Sequence, residues 1–402
     1  MIDTKKLINE KVAAIPPSGI RRFFDIAAEM KDAISLGVGE PDFVTPWHIR
    51  DAGIRALRDG HTYYTSNSGL SELRQEIAAY LERRFSLSYR PDGEILVTVG
   101  GSEAIDLLLR TVISEGDEVL IPEPSFVCYS PCTRLAGRTP VPLVTRQEDE
   151  FRLTAKALKD ALTPRTKLLI LPFPNNPTGA IMPRKSLEEI ADVLKDTNIL
   201  VMSDEIYAEL TYEGRHISIA KIPGMQERTV LVSGFSKAYA MTGWRLGYLI
   251  GPEHVIEAAK KVHDFLTVGA TAPLQEAAVT GLKFGPEYYQ WLKDLYTEKR
   301  DYLCGRLEQM GLSHTTPQGS YFVLVDISGF LETPEFTGWT DLEFCEWMIK
   351  NYGVAAVPGS SFFKEPVTNY IPLHFSRGNA TLEAAADLLA QLPQHYRFYL
   401  LP

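Results

Sequence analysis

Cysteine is scarce in this chain of 402 residues, which contains only Cys128, Cys132, Cys304 and Cys345. These cysteines form no CxxC motif and no regular series, so neither a zinc ribbon nor a disulfide-stapled scaffold is indicated. Scattered thiols are typical of a reducing compartment. Cys128 and Cys132 could share a metal, but no histidine lies near them in the sequence, and we predict no metal site.

Positive charge and long apolar runs are also lacking. The 41 Lys and Arg residues are outnumbered by 51 Asp and Glu, giving a net charge of −10. This balance argues against a nucleic-acid partner, which normally requires a basic surface. No run reaches the roughly 18–20 apolar residues of a membrane span, and the first residues contain no signal-peptide core. We therefore expect a cytoplasmic protein with no membrane partner.

The overall composition, 45% hydrophobic and 23% charged, is that of an ordinary globular protein. From residue 94 onward, short apolar runs alternate with helical patterns. The runs cover residues 94–100, 117–122, 166–174, 198–205, 228–234 and 245–251. Apolar runs of this length, separated by helices, predict an α/β domain with a mostly parallel sheet covered on both faces.

The pattern changes after about residue 285. A long helix is predicted over 286–311 and a shorter one over 341–352, with strands over 320–327 and 370–375. This order predicts a smaller α+β domain. We assign residues 1–45 to that smaller domain as well, residues 46–285 to the large domain, and residues 286–402 to the C-terminal part.

Ligands of open parallel sheets bind beyond the carboxyl ends of the strands. Five segments of this sequence provide polar or aromatic residues at such ends. They are Gly100-Gly101-Ser102, Phe126, the segment 175–179, Asp204 with Tyr207, and Ser236 with Lys237. Because these ends meet at one edge of a sheet, we expect one site there.

Lys237 directly follows an apolar run. A lysine amine attacks carbonyl compounds once it has lost its proton, and burial or a nearby cation such as Arg245 lowers its pKa. The alternative is a solvated loop lysine, because lysine is rarely buried.

Asp204 ends another apolar run. A buried carboxylate requires a cationic partner, and a protonated pyridine nitrogen would serve. The alternative is a helix N-cap, for which aspartate is favoured.

Three further residues could contact an aromatic cofactor. Tyr207 and Asn176 could hydrogen-bond to a ring oxygen, and Phe126 could stack on the ring. Each has a simpler alternative: a core tyrosine, an Asn-Pro turn and a core phenylalanine.

Gly100, Gly101 and Ser102 lie where a predicted strand ends and a helix begins. The free N–H groups of a helix start attract anions, and glycine lets the backbone approach a phosphate closely. Ser236 and Arg245 could add a hydroxyl and a charged fork. The alternative is a simple strand–helix turn.

Motifs along nearly the whole chain resemble those of the aspartate-aminotransferase-like family, the class I and II, fold type I enzymes that use pyridoxal phosphate. They are SLGVGEPDFVTP (35–46), YYTSNSGLSELR (63–74), VTVGGSEAID (97–106), NNPTG (175–179), SDEIY (203–207), SKAYAMTGWRLGY (236–248) and VPGSSFF (357–363). The order and spacing of NPTG, DEIY and SKxxxxxGWRLGY are highly specific.

The resemblance implies a role for each candidate residue. Lys237 would bind pyridoxal phosphate covalently and move the substrate proton, and Asp204 would pair with the pyridine nitrogen. The remaining implied contacts are Tyr207 and Asn176 with the ring oxygen, Phe126 with the ring face, Gly100, Gly101, Ser102, Ser236 and Arg245 with the phosphate, Tyr64 with the neighbouring subunit's phosphate, and Gly39, Ile20 and Asn176 with the substrate.

The resemblance also implies a fold and an activity. The fold has a large α/β domain, with a mostly parallel seven-stranded sheet between helices, and a smaller α+β domain built from both termini. The activity is ping-pong transfer of an amino group from an amino acid to a 2-keto acid, in a homodimer with shared active sites. The apolar and aromatic character around Ile20, Tyr64 and Phe126 favours neutral or aromatic donors, with 2-oxoglutarate as acceptor.

Two alternatives keep the same cofactor and fold. One is a lyase that breaks C–S bonds by β- or γ-elimination, because the motifs around Lys237 would look similar. The other is a transaminase for amines without an α-carboxylate. A regulator without turnover is disfavoured by the acidic balance.

One position departs from the family pattern. The family usually carries an arginine in a C-terminal strand, where it binds the substrate α-carboxylate as a fork; here the strand reads YIPLHF (370–375), with Pro372 at that position. Proline offers neither charge nor donor. Arg377 is a candidate replacement, but it lies five residues on and would face the opposite way unless the strand bends. Otherwise Asn176 and backbone N–H groups hold the carboxylate, the substrate lacks it, or Pro372 is a sequence variant.

Overall fold

A seven-stranded sheet forms the centre of the protein. The computed structural model describes residues 2–16, 30, 33–37 and 39–392. In spatial order the sheet contains β2 (Ile95–Thr98), β8 (Gly247–Ile250), β7 (Thr229–Gly234), β6 (Leu200–Asp204), β5 (Thr166–Leu171), β3 (Glu118–Glu123) and β4 (Thr139–Val144). Strand β8 runs antiparallel to β2 and β7, and the other neighbouring pairs are parallel. The predicted α/β class and mostly parallel sheet are confirmed.

Alternate residues of the central strands pack on opposite faces of this sheet. In β5, Leu168 and Ile170 belong to one apolar cluster, whereas Leu169 and Leu171 belong to another. This is the two-residue period of a strand that is buried on both faces. Helices cover the two faces; their bounds are Trp47–Arg58, Ser71–Phe85, Gly100–Val112, Tyr129–Leu135, Ala155–Ala161, Arg184–Leu194, Glu253–Thr267 and Ala272–Leu282.

Strand β4 was not predicted as a strand. Its sequence, TPVPLV, contains Pro140 and Pro142, which cannot donate hydrogen bonds to a neighbouring strand. The strand lies at the edge of the sheet and pairs with β3 alone. The two prolines are two residues apart, so both nitrogens point to the same, open side.

Residues from both halves of the chain form two smaller sheets. Strand β1 (Ile34–Ser35) pairs in parallel with β10 (Val354–Ala355), and β9 (Phe322–Asp326) pairs antiparallel with β11 (Tyr370–His374). Longer helices here are Pro286–Gln309, Asp341–Tyr352 and Asn379–Leu389, and single-turn helices are Glu10–Ala13 and Ser328–Leu331. The predicted helices over 286–311 and 341–352 are confirmed, whereas the proposed domain boundaries at 45 and 285 stay predictions.

Two absences hold for the part of the chain that the structure describes. No helix there is both long enough and apolar enough to span a membrane. No group of three or more His, Cys, Asp or Glu side chains is placed to hold a metal ion.

The start of the helix Gly100–Val112 is packed tightly against strand β8. A Cβ atom on Gly247 would lie 2.7 Å from both Gly100 C and Gly101 N, closer than carbon atoms approach in proteins. Glycine is therefore required at residue 247 to let these two backbone segments meet. This contact sets the position of the helix start relative to the sheet.

We expect Gly247→Ala to destabilise the protein by about 1–3 kcal/mol, because the added methyl group overpacks this contact. The measurement is the thermal unfolding midpoint, which should fall by several degrees. Gly305→Ala is the matched control, since no atom lies within 4 Å of its added Cβ within the helix Pro286–Gln309. That change should raise stability by up to about 1 kcal/mol. An unchanged midpoint for Gly247→Ala would contradict the packing argument.

Candidate active site

A cavity of about 350 Å³ opens at the carboxyl ends of the parallel strands. Most of the residues singled out from the sequence line it. These are Gly39, Gly101, Ser102, Phe126, Asn176, Asp204, Tyr207, Ser236, Lys237 and Arg245. The expectation of one site at this edge of the sheet agrees with this geometry.

Lys237 follows strand β7 and extends into the cavity. Its Nζ donates to the Gly39 carbonyl oxygen at 3.4 Å and lies 5.7 Å from the ring centre of Tyr207 and 5.6 Å from that of Tyr321. Burial lowers the pKa of Lys237 to about 8, and the charge of Arg245 acts in the same direction. An appreciable fraction of the amine is therefore neutral near pH 7, and the amine is a nucleophile and a base.

Asp204 ends strand β6 and is buried. Its Oδ2 accepts a hydrogen bond from the Tyr129 hydroxyl at 2.7 Å, and its Oδ1 accepts one from the Ile206 N–H at 3.2 Å. Burial raises its pKa to about 6, although both hydrogen bonds oppose that rise. Among the described residues it has no close cationic partner, so a cation entering the cavity would stabilise its ionised form.

Tyr129 is a site residue that the sequence analysis missed. It lies in the helix Tyr129–Leu135, three residues after Phe126, and its hydroxyl is buried against Asp204. The nearness of Tyr129 to Phe126 in the chain was the available signal. The sequence could not indicate which way its side chain points.

Asn175 and Asn176 have different environments. Asn175 Oδ1 accepts hydrogen bonds from the N–H and the hydroxyl of Thr178, and its Nδ2 donates to the Pro124 carbonyl oxygen at 3.2 Å. Asn175 therefore builds the turn. Asn176 lines the cavity, and its buried Oδ1 has no hydrogen-bond partner among the described residues. Such a group requires a ligand or water to satisfy it.

The other end of the cavity is suited to an anion. The helix Gly100–Val112 begins there with Gly100 at φ +76°, and a Cβ at that position would lie 2.8 Å from Arg245 Nη2. Ser102, Ser236 and Arg245 surround the helix start. Free backbone N–H groups, hydroxyls and a guanidinium together match a phosphate group.

Glu103 supports this anion site from behind. It accepts a hydrogen bond from the Val99 N–H, and its Oε1 lies 2.8 Å from Nδ1 of the buried His263. These contacts tie the loop before the helix to the helix Glu253–Thr267, which makes the loop rigid before any ligand binds.

Several predicted residues do not line the cavity. Tyr64 is 89% exposed, and Ile20 lies outside the described residues. Arg377 lies beyond the end of β11, and its Nε donates to the Ser35 carbonyl oxygen at 2.9 Å. The substrate and partner-subunit roles of these three residues stay predictions. Tyr321, Phe322 and Phe362 are aromatic neighbours of the site that the sequence analysis did not select.

The sequence profile of the family described as aminotransferase class I and II matches residues 31–386. The chain belongs to this family. It is accordingly an aminotransferase of the fold type I architecture, as predicted.

Named relatives support the assignment and differ in substrate. The chain is 40% identical to an aspartate aminotransferase of Pyrococcus abyssi, over 96% of this chain and 98% of that protein. It is 38% identical to aromatic-amino-acid aminotransferase 2 of Thermococcus litoralis, over 96% and 98%. The solved aspartate aminotransferase of Thermus thermophilus with maleate has a TM-score of 0.89 and 34% identity, over 96% of this chain and 99% of that one. These names leave the substrate of this aminotransferase open.

Members of this family depend on pyridoxal phosphate, and the residues of the cavity fit that group. The unsatisfied Asn176 oxygen and the buried Asp204 lie where polar contacts to a ring are required, and the helix start at Gly100 lies with Arg245 where a phosphate would bind. When bound, the cofactor supplies an aldehyde for the amine and a ring that withdraws electrons from the substrate Cα.

The lowered pKa of Lys237 predicts how fast the cofactor-free aminotransferase reacts with pyridoxal phosphate. Only the neutral amine attacks an aldehyde, so the rate should rise with pH and level off above about 8, rather than above the 10.5 of an exposed lysine. The measurement is the rate of the absorbance change on mixing, from pH 6 to 10. Lys237→Ala should form no covalent adduct. A midpoint near 10 would contradict the burial of the amine.

Tyr129→Phe should weaken cofactor binding about tenfold at pH 7, because it removes a hydrogen bond to a carboxylate. The pKa of Asp204 should also rise further, so binding should be lost at a higher pH on the acid side than in the unmodified enzyme. Tyr239→Phe is the control: it removes a buried hydroxyl that contacts the Tyr289 hydroxyl at 2.8 Å, away from the cavity. Titration with cofactor measures both. Equal losses in both variants would mean that Tyr129 acts only through stability.

Proposed function

We propose that this aminotransferase holds pyridoxal phosphate on Lys237 and moves an amino group from a neutral or aromatic amino acid to a 2-keto acid, with 2-oxoglutarate as an acceptor. The observation that supports the proposal is that a buried amine, Lys237, and a buried carboxylate, Asp204, face the same cavity as an anion-binding helix start. These are the three groups that a phosphorylated pyridine aldehyde requires.

Each side chain has a distinct task in this proposal. The carboxylate of Asp204 holds the ring nitrogen protonated, and Tyr129 keeps that carboxylate in place. Tyr207 and Asn176 orient the ring through its oxygen, while Phe126 covers one face. Ser102, Ser236, Arg245 and the N–H groups after Gly100 hold the phosphate. The neutral amine of Lys237 removes the proton from the substrate Cα and returns it on the cofactor side.

The shape and polarity of the cavity support neutral or aromatic donors. Beyond the residues assigned to the cofactor, its lining includes Pro174, Ile206, Phe322 and Phe362. Such a wall stabilises an apolar side chain by burial, whereas a second carboxylate, as in aspartate, would be desolvated there.

A homodimer with shared active sites belongs to the same proposal. Tyr63 and Tyr64 are 84% and 89% exposed, and Phe265 on another segment is 91% exposed. Large aromatic groups this exposed are typical of a surface that another subunit covers. We place Tyr64 at the phosphate of the neighbouring subunit, and the protein in the cytoplasm.

Two half-reactions test the activity. Enzyme loaded with cofactor should convert from the aldehyde to the amine absorbance on addition of phenylalanine or leucine, and 2-oxoglutarate should reverse the change. Steady-state rates at several acceptor concentrations should give the parallel double-reciprocal lines of a ping-pong mechanism. Phenylalanine should exceed aspartate in kcat/KM by about tenfold or more, because of the cost of desolvating the second carboxylate.

The eliminating lyase predicts a different product. With a β-substituted alanine, elimination would release ammonia and pyruvate while the aldehyde absorbance persisted. Ammonia release that is faster than amine-form accumulation would therefore refute transamination as the main activity. No spectral change with any donor would refute the proposal as a whole.

A further inference from the structure

The cavity contains few positive charges for its size. Among the described residues that line it, the cations are Lys237 and Arg245. Arg245 lies against Gly100 at the helix start, and Lys237 is the amine that binds the aldehyde in the proposed function. Neither is free to bind a carboxylate of the substrate.

A negative charge lies close to the amine. Glu40 raises the pKa of Lys237, opposing the larger effect of burial, and its Oε2 accepts a hydrogen bond from the Thr242 hydroxyl at 3.2 Å. A substrate carboxylate at this mouth of the cavity would therefore be repelled rather than attracted.

The register of β9 and β11 identifies the residue that would face a substrate carboxylate. Phe322 lines the cavity and is paired with His374, and Leu324 is paired with Pro372. Directly paired residues of antiparallel strands lie on the same face, as do residues two apart on one strand. Pro372 is therefore on the face that carries Phe322, and it contributes no charge and no N–H group.

The two basic residues near Pro372 do not compensate for it. His374 is fully buried and contacts the Ser376 hydroxyl at 2.9 Å, and burial lowers its pKa to about 3, so it is neutral near pH 7. Arg377 uses its Nε on the Ser35 carbonyl oxygen, and its own carbonyl oxygen accepts from Lys299 Nζ at 2.6 Å.

The polar group that remains for the substrate is neutral. Asn176 lines the cavity and carries both a carbonyl acceptor and an N–H₂ donor, and its Oδ1 has no partner among the described residues. A primary amide can both donate to and accept from such a group, whereas a carboxylate can only accept.

We propose that Pro372 sets the donor range of this enzyme, so that it accepts α-amino amides nearly as well as the corresponding α-amino acids. This inference rests on the proposed transaminase function and specifies its substrate class. The reaction balances in the same way for both: the amino amide and the cofactor aldehyde give the 2-oxo amide and the cofactor amine. One water is released on condensation and one is consumed on hydrolysis, and the Cα proton passes through Lys237.

The experiment compares L-phenylalanine with L-phenylalaninamide in the first half-reaction, with cofactor-loaded enzyme. The two donors have the same size and differ in the charge that the cavity would read. The variants are Pro372→Arg, which adds a guanidinium on the face of Phe322, and Pro372→Met, which adds a side chain of comparable length without charge. The readout is the ratio of kcat/KM for the acid to that for the amide.

We expect a ratio below about 10 for the unmodified enzyme and for Pro372→Met. For Pro372→Arg it should rise by about 10- to 100-fold, which is the range for a hydrogen bond between charged groups. A ratio above about 10 in the unmodified enzyme would overturn the inference, because another cation would then read the carboxylate. An equal ratio in the folded Pro372→Arg and Pro372→Met variants would overturn it as well.

The unmodified enzyme decides the question even if Pro372→Arg does not fold, since its own ratio either meets or exceeds the limit. Failure of the proposed function gives a separate result: neither donor would convert the cofactor absorbance at all. Conversion by the acid alone would leave the aminotransferase intact and refute the role of Pro372.

Discussion

The burial of two opposite charges in one cavity is the constraint on which this active site depends. Lys237 and Asp204 are both removed from water, and each pKa moves toward the neutral form of its side chain. The amine becomes a nucleophile for this reason. The carboxylate becomes a site for a cation, because only a cationic partner offsets its desolvation. A protonated pyridine ring that also carries an aldehyde meets both demands at once.

Residues that have no direct contact with the ligand hold these groups in place. Tyr129 orients Asp204, Asn175 builds the turn that frees Asn176, and Glu103 ties the loop before the phosphate helix to His263. The close contact of Gly247 with Gly100 and Gly101 sets the helix start against the sheet. The site is thus rigid before cofactor binds, which lowers the entropy lost on binding.

Pro372 shows how one residue on a neighbouring strand can change what a conserved architecture recognises. The cofactor end of the cavity retains its polar groups, and the face of β9 and β11 that looks toward the substrate carries apolar or neutral side chains. Chemistry and recognition are therefore carried by different elements. A change in one need not disturb the other, as the differing substrates named for related aminotransferases also suggest.

The sequence alone determined the chemistry and most of the fold. Apolar runs of strand length between helical patterns predicted the parallel sheet, and the motif residues from Gly39 to Arg245 indicated the cofactor pocket. Both signals are local in the chain, since each depends on residue type and short spacing. Six strands of the sheet followed from such runs, whereas the seventh, β4, was hidden by its prolines, which only an edge position tolerates.

Tertiary structure decided which distant residues meet. The hydroxyl of Tyr129 reaches Asp204 across 75 positions of sequence because β3, β5 and β6 are neighbours in the sheet. The position of Pro372 beside Leu324, and the use of Arg377 on Ser35, likewise follow from strand register and from where β11 ends. Contacts of this kind depend on packing between segments far apart in the chain, and residue type and spacing carry no information about them.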